Sequence, residues 1–225
     1  YTDKLIEFIG KDVDSNKPFF AYAAYTSPHW PLQVDEKYWR KYTGRYDEGY
    51  EVLRSKRLET SKKEGMVQPE SSLPQIHHSI IPWDSLDSDR KKIESRKMEL
   101  YAGMVDNLDT NIGRLLDYLE KIGELENTLI IFVSDNGAAA EDFYYHPRLG
   151  PTLQTYYTDS YVDMGKEKSY ISYGPQWAEA GSSPFKYYKS YTTEGGITTP
   201  MIVAGKGIDQ KGLRTDIFTT LLDIA

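Results

Sequence analysis

One segment constrains this chain more than any other: Thr128-Leu-Ile-Ile-Phe-Val133, a run without a charge, broken at once by Ser134-Asp-Asn-Gly137. A short apolar run rich in branched side chains suits a strand covered on both faces, because a helix of that length could not bury every side. Upstream of it, Tyr101, Val105, Leu108, Ile112, Leu115, Leu116 and Leu119 recur at three- and four-residue steps, the single apolar stripe of a surface helix. Gly123 stands where such a helix would stop. Two further runs, Pro18 to Tyr25 and Thr199 to Ala204, also predict strands, and Leu5, Ile6 and Ile9 predict a short helix over 3–10. Strands alternating with amphipathic helices specify an α/β fold, with a mostly parallel sheet flanked by helices. In such sheets ligands gather beyond the carboxyl ends of the strands. The polar clusters at 26–30 and 134–137 occupy that kind of position.

The rest is less regular. Residues 35–64 are charge-rich and predicted helical in part, while 66–92 carries three prolines and many serines and reads as a surface excursion. Taken together, about 40–95 looks like an insertion or excursion, and 138–190 an irregular Tyr/Gly/Pro-rich segment, within one domain spanning 1–225. The apolar periodicity of Ile217, Leu221, Leu222 and Ile224 has no stop signal after it. The expectation is a helix that continues, and a chain that is the central part of a longer protein.

A net charge of −7 argues against a nucleic-acid partner, which needs clustered Lys and Arg. A small anionic substrate fits, because a few local cations can outweigh the global sign. With no cysteine there is neither a disulfide nor a thiolate metal site. No apolar run approaches the roughly 20 residues of a membrane helix, so no membrane partner is expected.

Three clusters could carry chemistry. Asp135 and Asn136 are hard oxygen donors suited to Ca²⁺ or Mg²⁺, or equally an Asx turn closing a strand. His29 is held between prolines in Pro28-His-Trp-Pro31, as a general acid or an anion-contacting donor requires, or is simply a polar turn residue. Lys186 and Lys189 lie among tyrosines ahead of Glu194-Gly-Gly196, where an ammonium could hold a tetrahedral anion or rest solvated along aromatic rings. The pair His77-His78 falls in the excursion and reads as surface.

The wording of these motifs resembles the sulfatases, of the alkaline-phosphatase-like superfamily. Phe19-Phe-Ala-Tyr22 with Ser27-Pro-His-Trp-Pro-Leu-Gln33 resembles the segment holding that family's substrate-contacting histidine. Tyr101-Ala-Gly-Met-Val-Asp-Asn-Leu-Asp109 with Ile112-Gly-Arg-Leu-Leu116 is similar to the helix before its metal-binding strand. Asn127 to Gly137 is similar to its most recognisable internal signature, and Pro184 to Ile197 to its lysine-to-Glu-Gly-Gly segment. Thr215 to Asp223 also fits. Tyr173-Gly-Pro-Gln-Trp-Ala178 and the long insertion resemble bacterial arylsulfatases in particular.

The resemblance implies hydrolysis of a small-molecule sulfate ester, with Asp135 and Asn136 on a divalent cation, usually calcium. It implies that His29 contacts the sulfate and helps protonate the leaving group, and that Lys189 holds sulfate oxygens, with Lys186 outside the site. A phosphodiesterase or phosphonate hydrolase on the same scaffold, or a non-catalytic domain retaining it, are the alternatives. The family's formylglycine nucleophile comes from a Cys/Ser-x-Pro-x-Arg motif. The nearest imitation, Ser182-Ser-Pro-Phe-Lys186, has lysine in place of arginine and falls in another family segment. The nucleophile is therefore expected upstream, and this portion alone is expected to be inactive. The family's N-terminal strand, with its paired aspartates, and its small C-terminal subdomain have no counterpart here. The resemblance leaves the compartment open between bacterial periplasm and cytoplasm.

Overall fold

The computed structural model describes residues 1–11, 17–209, 212–215 and 219–220. Its spine is α4 (Ser88–Lys121), at 34 residues about 51 Å long by helical rise. Asp87 caps its start by accepting the Arg90 N–H at 2.7 Å, and Gly123, at φ +77°, ends it as expected. Helices α1 (Thr2–Lys11) and α2 (Glu36–Trp39) pack along α4. A third, α3 (Tyr50–Lys63), packs against α6 (Gly174–Gly181). Helices α5 (Gly150–Tyr156) and α6 break up the segment 138–190 that was expected to be irregular, and the short α7 (Glu194–Ile197) follows it. Strands β1 (Leu129–Val133) and β2 (Met201–Gly205) fall where the apolar runs predicted.

The core gathers on the first half of α4, where Met98, Leu100 and Met104 are buried, and on Trp177 of α6, 1% exposed. Tyr50 and Trp83 meet the Trp177 ring edge-on, at centroid distances of 5.5 and 6.0 Å. Fully burying large side chains such as these stabilises by roughly 1.5–3 kcal/mol each. Trp83 lies inside the stretch read as a surface excursion, so that reading needs correction. The proline- and serine-rich chain folds back onto α3 and α6 rather than standing off the surface, because it carries a core tryptophan. Polar anchors hold it there. Arg54, 3% exposed, donates to the Pro74 carbonyl at 2.9 Å and lies 3.6 Å from the Glu179 carboxylate, which also accepts the His77 N–H at 3.1 Å. Burial pushes the Arg54 guanidinium below its usual range, and the Glu179 charge opposes that shift.

The chain is α/β, but its sheet differs from the expectation in three ways. Among the described residues it has two strands, and β1 pairs with β2 antiparallel, Leu129 opposite Gly205 and Val133 opposite Met201. The run from Pro18 to Tyr25 forms no strand, and Phe20 and Tyr22 are 95% and 84% exposed. Apolarity favours a strand, but a strand exists only where a neighbour supplies ladder partners. Nor is β1 buried: Leu129, Phe132 and Val133 are each more than 40% exposed, since the described residues lay no helix across either face. The helix expected over the last residues lies largely outside the described residues. No helix among them is long and apolar enough to cross a membrane.

Candidate active site

The carboxyl end of β1 opens into Ser134-Asp-Asn-Gly137, and three bonds fix where this turn goes. Thr199 Oγ1 donates to the Ser134 carbonyl at 2.8 Å, the Gly137 N–H to Gly196 O at 3.0 Å, and the Lys189 N–H to Ala138 O at 3.0 Å. The turn is thereby stitched to the segment 186–199. The approach is so close that only glycine fits: a Cβ on Gly137 would lie 1.9 Å from the Gly195 carbonyl oxygen, and one on Gly195 2.0 Å from Tyr187 O. Both neighbours are backbone and cannot swing aside. Gly137→Ala is therefore expected to lower stability by about 1–3 kcal/mol, read as a shift in the denaturation midpoint. A variant as stable as wild type would show that the stitch is looser than it looks.

Asp135 is exposed, and its carboxylate makes no hydrogen bond or ion pair within the described residues. Asn136 donates Nδ2 to the Gly137 carbonyl at 3.0 Å, which leaves its own amide oxygen free to accept. Two adjacent hard oxygen donors without competing partners suit a divalent cation such as Ca²⁺ or Mg²⁺. Among the described residues no three His, Cys, Asp or Glu side chains cluster to complete a cation site, so this pair would fill only part of a coordination sphere.

Lys189 is half-buried, and its ammonium has no ion-pair partner among the described residues. It sits on a tight loop. Tyr187 and Ser190, at φ +62° and +78°, are left-handed without being glycine, a strain of roughly 1–2 kcal/mol per residue. Lys186, by contrast, is exposed and lies over the Tyr187 ring, 4.8 Å from its centroid.

His29 lies in a loop anchored at both ends. Ser27 Oγ donates to Met104 O at 3.2 Å on α4, and the Leu32 N–H to Ile171 O at 2.9 Å. His29 Nδ1 is 2.8 Å from the Trp30 carbonyl. A carbonyl only accepts, so Nδ1 carries the proton and Nε2 is left to face solvent or ligand. Trp30 in turn meets Phe143 edge-on at 5.0 Å, which ties this loop to the chain leaving the β1 turn. The structure thus stitches the backbone at Lys189 to the chain leaving the turn of Asp135 and Asn136, while the Lys189 side chain lines a wall shared with Glu141. His29 joins that chain through Trp30 and Phe143, with no hydrogen bond or ion pair to Asp135, Asn136 or Lys189.

Sequence reasoning missed Glu141, which accepts from Ser190 Oγ at 2.9 Å beside Lys189. The available signal was a carboxylate four residues beyond Gly137 on the same strand exit. His77, read as surface, is half-buried and packs edge-on against Tyr187 at 5.4 Å, on the back of the lysine loop.

The family model described as Sulfatase matches residues 1–225. An uncharacterized sulfatase of Schizosaccharomyces pombe is 41% identical over 228 residues, covering 100% of this chain and 41% of that protein. An arylsulfatase of Klebsiella aerogenes is 33% identical over 204 residues, 90% of this chain and 43% of the relative. The chain thus spans less than half the length of either relative. The crystal structure of Ps i-CgsB in complex with k-i-k-neocarrahexaose superposes with a TM-score of 0.45 at 22% identity, covering 91% of this chain and 27% of that one.

Proposed function

Because this chain belongs to the sulfatase family, we propose that it supplies the lysine, the histidine and part of the metal site of an enzyme that hydrolyses sulfate esters, of arylsulfatase type. One observation carries this reading. The Lys189 N–H bond to Ala138 O brings the backbone of a lysine without an ion-pair partner among the described residues to the chain leaving the turn of Asp135 and Asn136. Unspent positive charge next to free oxygen donors is what a metal-assisted site for a tetrahedral anion requires.

Lys189 holds sulfate oxygens and opposes the negative charge that grows on them as the ester bond breaks. With Nδ1 fixed on the Trp30 carbonyl, His29 as imidazolium has a proton at Nε2 to deliver to the departing alkoxide or phenoxide. Asp135 and Asn136 offer two of the roughly 6–8 oxygens that calcium takes. A divalent cation, when bound, supplies further fixed positive charge at the sulfuryl group. The formylglycine nucleophile does not fit any residue of this chain. Cysteine is absent, and Ser182 closes α6, its N–H on the Ala178 carbonyl at 2.9 Å. The nucleophile is assigned to residues beyond these.

The test is turnover of para-nitrophenyl sulfate and bis(para-nitrophenyl) phosphate by the full-length protein. We expect the sulfate to be preferred, with activity lost to a chelator and restored by Ca²⁺. His29→Ala is expected to cost about 10²-fold in kcat, and more on alkyl than on activated aryl esters, because a poor leaving group needs the proton more. Faster turnover of the phosphodiester would overturn the sulfatase reading.

A further inference from the structure

Lys189 opens into a cavity of about 250 Å³ whose other walls include Glu141, Tyr188, Ser190 and Tyr191. Glu141 stands there with one oxygen used and one not. Its Oε1 accepts from Ser190 Oγ at 2.9 Å, while Oε2 is shielded from solvent and has no hydrogen-bond partner. A carboxylate out of water wants a donor on every oxygen, so the wall is short of one. An ionised carboxylate oxygen has room for more than one donor, so Oε1 can accept a further hydrogen bond while Ser190 keeps its own. Tyr188 and Tyr191 meet edge to face at 5.2 Å and form an aromatic wall beside the carboxylate. Burial raises the Tyr188 hydroxyl well above the ordinary phenol range and keeps it protonated.

An anion-holding ammonium, an unfilled acceptor and tyrosine faces within one cavity are the complement of an anionic group on a hydroxylated ring. We propose that Glu141 is a specificity residue that accepts a hydrogen bond from a hydroxyl of a carbohydrate sulfate ester while Lys189 holds its sulfate. The tyrosines would pack on the C–H face of the sugar. This rests on the reading of Lys189 as the sulfate-binding lysine.

The experiment compares wild type, Glu141→Ala and Glu141→Gln in the full-length protein, on glucose sulfate and on para-nitrophenyl sulfate, which has no hydroxyl. Glu141→Ala should lower kcat/KM for glucose sulfate by about 10- to 100-fold and leave para-nitrophenyl sulfate within about two-fold. Glu141→Gln, whose amide oxygen still accepts, should retain most of the preference, and thermal unfolding of the variants shows whether they fold. Equal losses on both esters would mean that Glu141 only holds the Ser190 loop. Either that or no loss on either ester overturns the proposal while leaving the sulfatase reading intact. Wild-type protein that hydrolyses neither ester overturns both.

Discussion

Lys189→Ala is expected to lower kcat/KM for sulfate-ester hydrolysis by the full-length protein by about 10²- to 10³-fold, while Lys186→Ala stays within about two-fold. The first figure is the usual loss when one preorganised charge-stabilising donor is removed from an active site. The contrast between the lysines follows from their surroundings. The Lys189 N–H is bonded to Ala138 O, its side chain is half-buried, and no carboxylate neutralises it among the described residues. Lys186 is exposed over the Tyr187 ring, where water screens its charge. Since the anchoring bond uses the backbone, alanine at 189 keeps the loop in place, and the loss reports the ammonium alone. Steady-state kinetics on both variants decide the matter. Equal effects, or a larger effect at 186, would remove Lys189 from the proposed site.

The second large effect is on stability. Removing one partner of the Arg54–Glu179 pair, as in Arg54→Met or Glu179→Leu, is expected to cost about 3–5 kcal/mol, because a charge is left buried without its counter-ion. The two side chains are 4% and 1% exposed and lie 3.6 Å apart, so neither charge can reach water without local unfolding. Their hydrogen bonds add a second consequence. Arg54 holds the Pro74 carbonyl and Glu179 the His77 N–H, and His77 backs the Tyr187 ring of the lysine loop. The single variants should therefore loosen the loop as well. The double variant Arg54→Met/Glu179→Leu, with neither charge left, should recover much of the loss. Urea denaturation midpoints test this. Single variants within about 1 kcal/mol of wild type would show that solvent reaches the pair.

The legible parts of this protein were those governed by local rules. The stripe from Tyr101 to Leu119 gave the second part of α4 and Gly123 its end, though the helix begins at Ser88, inside the stretch read as excursion; two apolar runs gave β1 and β2 within a residue or two. The excursion was misread because proline and serine content reports local stiffness and polarity, and one tryptophan in it outweighed both by packing on Trp177. The buried charges of α4 were equally hidden: Glu94 and Glu99 lie at 1% and 4% exposure, yet in the sequence they look like any solvated helix face. Each pairs with a neighbour on its own helix, Lys97 for one and Arg96 for the other, but the partners that bury them, Gln176 and Gly44, are distant in the chain.

By itself, then, the sequence determined the striped part and the end of the long helix, the two strands, and which polar groups follow each apolar run, because periodicity and turn chemistry act over a few neighbours. Only the tertiary structure decided that the strands pair antiparallel, that Gly137 and Gly195 let two loops touch, and that Lys189 lies beside the turn of Asp135 and Asn136. The physical reason is reach. A hydrogen bond between residues 189 and 138 is a contact between segments, and no local preference encodes which segments meet.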